Sequence, residues 1–198
     1  MANVDSPFGL RPVRFDAEDV NIYYVDDDSN AIFIGDVVFA AGTADANGIE
    51  TVDRKGTVDD TTPSNNSPIV GVVVGIASDK AGTQLRDDTL YLAAGSTGYA
   101  LVCDNPDVLF EIQEDSVGGA LAAAAVGGNY NLELAAGSTV TGLSGVEIDS
   151  SVTAATNSAS ANVRIAGLAR RVDNAIGTNA RWEVKIVNHR ARAGVAGV

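Results

Sequence analysis

The stretch Tyr99-Ala100-Leu101-Val102-Cys103-Asp104-Asn105-Pro106-Asp107-Val108-Leu109-Phe110-Glu111-Ile112-Gln113 reads as two apolar strands around a four-residue turn. Pro106 presets φ at the first central position of a β-turn, with Asn105 before it and Asp107 after. Side chains alternate along a strand, so Val108, Phe110 and Ile112 fall on one face and Leu109, Glu111 and Gln113 on the other. The spacing predicts a hairpin at the centre of a β-domain, with the Asp104–Asp107 turn displayed.

Working toward the N-terminus, Leu90–Ala94 forms a further strand, joined to the hairpin through Gly95-Ser96-Thr97-Gly98. Ile69–Ala77 is the most apolar run. It is far too short to span a bilayer and reads as a strand buried on both faces. Residues 54–68 are polar and predict a long exposed loop. Ile49–Val52 and Asp36–Ala40 are strands, with loop between them at 41–48. Val20–Val25 and Ala31–Ile34 are two more, split by Asp26-Asp27-Asp28-Ser29-Asn30. Asp26, Asp28 and Asn30 alternate as at the start of a calcium loop. Ala31 and Val37 stand where an EF-hand needs Gly and Glu, so a solvated turn is the better reading. Residues 1–15 carry Pro7 and Pro12, which forbid a helix, and the apolar anchors Phe8, Leu10, Val13 and Phe15. This is an extended arm that docks on its own domain or on another chain.

Toward the C-terminus, residues 116–127 are the one plausible helix, with Ser116 as cap, a run of alanines, and Gly127-Gly128 as the stop. Gly118 and Gly119 interrupt it. Weak strands follow near Tyr130–Leu134 and Gly145–Ile148, and a stronger one covers Asn162–Val172. Arg181–Val187 alternates cleanly, with Trp182, Val184 and Ile186 inward and Glu183 and Lys185 outward. The predicted fold is all-β, a compact β-barrel or sandwich with an extended N-terminal arm and at most one short helix. The predicted organisation is an arm over 1–15, a β-rich domain over 16–189 and a tail over 190–198.

The 198 residues carry a net charge of −13, unevenly placed. Residues 1–150 hold 24 Asp and Glu against 6 Lys and Arg, a net of −18, while residues 151–198 hold 2 against 7, a net of +5. An acidic chain with few aromatics does not bind nucleic acid, which needs cations to replace phosphate counterions. Arg164, Arg170, Arg171 and Arg181 either pair with acids of their own domain or meet the acidic part of a neighbouring copy. The N-terminus shows no signal-peptide pattern, so synthesis in a cytoplasm and a soluble product are expected, and the sequon Asn65-Asn66-Ser67 is discounted. No membrane partner is expected.

One cysteine, Cys103, excludes an intrachain disulfide, and its strand context predicts a buried thiol. The single histidine, His189, is expected to end a strand near the surface. Two Cys and His residues in total cannot make a zinc site, and no serine-nucleophile elbow, phosphate loop or dinucleotide fingerprint occurs. Neither enzyme activity nor a cofactor or metal is expected. A glycosidase-like carboxylate pair is the weakly supported exception.

Three segments together resemble head decoration (cement) proteins of tailed bacteriophages. They are Ser6-Pro7-Phe8-Gly9-Leu10-Arg11-Pro12-Val13-Arg14, then Ala100-Leu101-Val102 through Asp104-Asn105-Pro106-Asp107 to Phe110-Glu111-Ile112-Gln113, and Gly167-Leu168 through Asp173-Asn174 to Trp182-Glu183-Val184-Lys185-Ile186. Residues 41–68 and 128–162 do not contribute. The resemblance implies a homotrimer on the outer capsid surface of the virion that clamps the major capsid protein. Pro7, Phe8, Leu10, Arg11, Pro12, Arg14, Arg164, Arg170, Arg171 and Arg181 are then the expected capsid or intersubunit contacts. The alternative is a carbohydrate- or receptor-binding β-domain, for which the inward position of Trp182 is unfavourable.

Overall fold

The structure, a computed structural model, describes residues 3–27, 29–54, 68–82, 90–151 and 161–192. The strands among them are β1 (Arg11–Pro12), β2 (Val20–Val25), β3 (Ile32–Phe33), β4 (Val37–Ala44), β5 (Glu50–Asp53), β6 (Ile69–Ala77), β7 (Tyr91–Leu92), β8 (Gly98–Cys103), β9 (Phe110–Gln113), β10 (Asn129–Tyr130), β11 (Leu132–Ala135), β12 (Gly145–Ile148), β13 (Val163–Leu168) and β14 (Arg181–Ile186). The fold is all-β, as the alternation of the sequence predicts. Five strands in the order β2-β5-β4-β6-β8 close into a barrel. Only β2 and β5 run parallel there, meeting at Tyr24 and Thr51. A five-stranded antiparallel sheet, β1-β9-β14-β13-β10, packs on one side of the barrel, and two ribbons, β3–β7 and β11–β12, complete the body.

The two layers explain why β6 can be apolar on both faces. Val70, Val73 and Ile76 join Tyr23, Val25, Val38, Val52, Ala100 and Val102 in the barrel interior. Ile69 and Val72 join Phe110, Ile112, Trp182, Val184 and Ile186 between barrel and sheet. A strand that faces protein on both sides has no use for a polar residue. In β14 only one face is covered, so Trp182, Val184 and Ile186 are buried while Lys185 is exposed.

Tyr99–Gln113 is not a hairpin. The turn forms as predicted, with the Val108 N–H donating to the Asn105 carbonyl around Pro106. Its two strands nevertheless enter different sheets. Both edges of β8 are already taken, by β2 and by β6, so the outgoing chain cannot fold back on it. It crosses to the sheet and pairs with β1 and β14 instead. Most of the turn is held rather than displayed. The Asn105 amide donates to Asp19 at 2.6 Å, and the Asp104 carboxylate accepts from the Tyr23 hydroxyl at 2.6 Å and from Asn21.

The predicted helix at 116–127 is absent; a single 3-10 turn, Ala123–Ala125, is all that forms. Ser116 and Gly119 both have positive φ, which no helix tolerates. The buried Glu114 carboxylate takes the Leu121 N–H and the Trp182 indole N–H, fixing the segment as a loop under the sheet. The loop expected at 41–48 begins later, because β4 runs on to Ala44. Most of the 54–68 loop, with its sequon, lies outside the described residues, as do Asp28 of the acidic turn and residues 193–198 of the tail. Arg190 and Arg192 pack on the domain, Arg190 against Glu50 and Tyr23, Arg192 against the carbonyls of Ile186 and Pro106.

Candidate functional site

The arm lies along its own domain. Gly9 and Gly35 cross back to back with φ of +71° and +94°, and the Leu10 N–H donates to the Gly35 carbonyl at 2.9 Å. A Cβ on Gly9 would strike the Gly35 carbonyl, and one on Gly35 the Phe8 carbonyl. Only glycine permits this approach. The crossing drops Leu10 into the core at 1% exposure. Beyond it, Arg11 and Pro12 pair with Glu111 and Phe110 at the sheet edge, and Arg11 bonds Glu111 at 2.9 Å. Before it, the Ser6 N–H donates to the Gln113 side chain and Asn3 bonds the backbone of Ala175 and Thr178. The arm therefore covers the outer face of β9, which is why Glu111 and Gln113 are buried.

Of the arm residues expected at an interface, Leu10 is buried in the core and reaches the surface only at the floor of a groove. Pro7, Phe8 and Pro12 are half-buried, and Arg11 and Arg14 are exposed. The Phe8 ring lies 4.6 Å from the Arg11 guanidinium and 5.7 Å from that of Arg181, a cation–π arrangement. Between arm and barrel runs an apolar groove of about 330 Å³, lined by Phe8, Leu10, Pro12, Phe15, Val74 and Leu143 among others. Phe15 and Val13 beside it are 46% and 43% exposed. Both side chains lie outside the core.

The four C-terminal arginines divide into two groups. Arg171 contacts Glu111 at 3.5 Å and Asp173 at 3.3 Å, and Arg181 contacts Asp173 at 3.4 Å. These two satisfy acids of their own chain. Arg164 bonds only the neutral amide of Asn129, at 2.9 Å, and Arg170 is exposed without a carboxylate partner among the described residues. Arg164 also lines a recess of about 380 Å³ with Asn129, Lys185, Val187, Arg192 and Asp107. Sequence reasoning missed Lys185 and Arg192 as members of this basic surface. Lys185 was legible as an outward position of an alternating strand, but its neighbours were not, since they come from three separate segments.

The opposite charge gathers at the β11–β12 ribbon. The Gln113 amide donates to Asp5 at 3.0 Å and to Glu147 at 3.1 Å. Burial, and then the nearby Asp5 carboxylate, push the Glu147 carboxyl up to about 7. Among the described residues no group of His, Cys, Asp and Glu side chains could hold a metal ion, and no helix is long and apolar enough to cross a membrane. Cys103 is a buried free thiol, pushed up to about 12 by burial. His189 is not near the surface: it is 1% exposed, because the chain after β14 runs beside Ile69 of β6. Its Nδ1 accepts the Ala191 N–H, and burial lowers its pKa. Two concavities therefore stand out among the described residues, an apolar groove and a basic recess. Comparison with known protein families, curated proteins and solved structures finds no match to this chain.

Proposed function

We propose that this chain is a structural protein of a tailed-phage virion, made in the host cytoplasm, that binds the outer capsid surface as a homotrimer and cements the lattice of the major capsid protein. The observation that carries this reading is a convergence. The three stretches that resemble phage decoration proteins lie far apart in sequence, yet they supply β1, β9, β13 and β14, consecutive neighbours in one sheet. Among the strand residues of these stretches, only Ala100-Leu101-Val102 fall elsewhere, in β8. The resemblance therefore concerns one contiguous structural unit. A lattice clamp works through many modest, symmetry-repeated contacts and needs no reacting groups, so the reading is not enzymatic. The groove beside Phe8 and Phe15 is the surface assigned to the capsid. The carbohydrate-binding alternative has little support, because Trp182 is fully buried.

Deleting residues 2–14 is not a clean test, since it removes Leu10 from the core and uncovers Glu111 and Gln113. Phe15→Ser is better, because a half-exposed side chain is changed and the fold is kept. Undecorated heads of the phage are mixed with each protein and occupancy is read by electron cryomicroscopy. Wild type should decorate the outer surface, and Phe15→Ser should bind about tenfold more weakly. Failure of wild-type protein to bind heads overturns the reading; undiminished binding by Phe15→Ser removes the groove from it.

A further inference from the structure

Arg164 of β13 and Lys185 of β14 are register partners, directly opposite on the outer face of the sheet. Both are exposed, and their strand neighbours Val163, Ile165, Val184 and Ile186 are buried, so the two cations project side by side. Like charges in this position repel at a cross-strand separation of about 5 Å. Nothing in the described chain neutralises them. The Arg164 partner is the amide of Asn129. The one carboxylate of the recess, Asp107, is taken by Arg192 at 3.7 Å.

A second pair has the same geometry and the opposite sign. Glu133 of β11 and Glu147 of β12 are also directly opposite one another. Their neighbours Leu132, Leu134, Val146 and Ile148 are buried, so both side chains leave the same face of the ribbon, Glu133 exposed and Glu147 half-buried against the Gln113 amide. Among the described residues Glu133 is exposed with no cation partner, and Glu147 accepts from the Gln113 amide with the Asp5 and Asp115 carboxylates nearby and no cation paired to it. Each pair is a local fault in an otherwise consistent structure, of the kind tolerated where a function requires it.

From these two faults we infer a head-to-tail contact between copies of this chain, in which the Glu133/Glu147 pair of one copy seats on the Arg164/Lys185 pair of the next. The argument is complementarity of both sign and spacing. Directly opposed residues on an antiparallel ladder have Cα atoms about 4.5 to 5.5 Å apart, so the two pairs have similar spacing and two ion pairs can form at once. The surfaces belong to different sheets, so the contact is heterologous and either closes into a ring or extends. An acidic side chain of another protein could match one patch; a second copy matches both. The inference deepens the homotrimer of that reading and concerns the free protein, whereas capsid binding is read separately from the occupancy of heads, so the two failures are distinguishable.

The test is a charge swap followed by sedimentation velocity at pH 8, with salt at about 0.05 M and about 0.5 M. Wild type should associate at low salt and dissociate at high salt. Arg164→Glu/Lys185→Glu and Glu133→Lys/Glu147→Lys should each weaken association about tenfold or more, because like charges then face each other across the contact. The chain with all four changes should associate again. Arg164, Lys185 and Glu133 are exposed and Glu147 is half-buried, and the circular dichroism of each variant checks that the fold is kept. A wild type that stays monomeric at low salt overturns the inference. So does association that either double variant leaves intact, or that the fourfold variant fails to restore. If Arg164→Glu/Lys185→Glu loses head binding while the free wild type is monomeric, the basic recess faces the capsid instead.

Discussion

The barrel and the five-stranded sheet share one apolar layer but are built in opposite ways. The barrel takes its strands from residues 20–103 and closes, so no barrel strand is left with a free edge. The sheet takes its strands from residues 11–12, 110–113, 129–130, 163–168 and 181–186 and ends in two edges. Each edge is a strand of only two residues, and one of them contains Pro12, a residue that cannot extend a ladder. The difference teaches where the molecule is vulnerable. The barrel depends on continuous apolar strands, and the sheet depends on joints between distant segments. Damage to a joint should release the sheet side first.

The largest effect is expected where a joint is buried and charged. Asp36, fully buried after the β3–β4 turn, accepts from the Ser144 hydroxyl at 2.5 Å and from the Phe33 N–H at 2.8 Å. The Arg54 Nε lies 3.1 Å away in an ion pair, and the same guanidinium donates to the carbonyls of Leu134 and Ala135. The cluster fastens the barrel to the β11–β12 ribbon. Burial raises the Asp36 pKa, with Arg54 opposing that shift. Asp36→Ala leaves Arg54 buried and unpaired and should destabilise by about 3–5 kcal/mol. Chemical denaturation measures this; a loss under about 1 kcal/mol would mean the ribbon is not held by the pair.

A smaller effect tests whether the two halves separate. Leu10→Ala removes the anchor that the Gly9–Gly35 crossing sets in the core and should destabilise by about 2–4 kcal/mol. Hydrogen exchange localises the loss. Amides of β9 and β14 should lose protection well before those of β6 and β8. Equal loss in barrel and sheet would show that the layers open together and would remove the distinction drawn above.

The same contrast governs what could be read in advance. Ile69–Ala77 was legible as a doubly buried strand because a run without charge has only that explanation in a chain of this kind. The inward set Trp182, Val184 and Ile186 was legible from period two. The Pro106 turn was legible too, since Pro sets φ locally. The partner of each strand was not, because pairing is decided by which edges are free, a property of the whole chain. Hence β8 and β9 looked like a hairpin. Likewise Leu10 was legible as an anchor, but whether for its own domain or for another chain was not, since nothing local announces that Gly9 meets Gly35. The basic surface was half legible: Arg164 was singled out, but Lys185 and Arg192 reach the recess only through the β13–β14 register and the turn after His189.

The smallest effect lies where the arm meets the ribbon. Folding raises the Glu147 carboxyl from the ordinary glutamate value of 4.5 to about 7, so the folded chain favours its protonated form. The contribution of this group is therefore fully present below about pH 4.5 and is lost as the pH rises to about 7. Glu147→Gln keeps the shape and removes the titration. Asp36 and Glu114 are raised in the same sense, so the wild-type pH profile alone cannot isolate Glu147. The difference between variant and wild type can. Glu147 is only half-buried, and solvent screening reduces the effect to about 1 kcal/mol. Denaturation midpoints at pH 4 and pH 8 should show the variant gaining that amount over wild type at the higher pH alone. An equal gain at both would mean that Glu147 acts through packing and that its charge against Asp5 is immaterial to the docking of the arm.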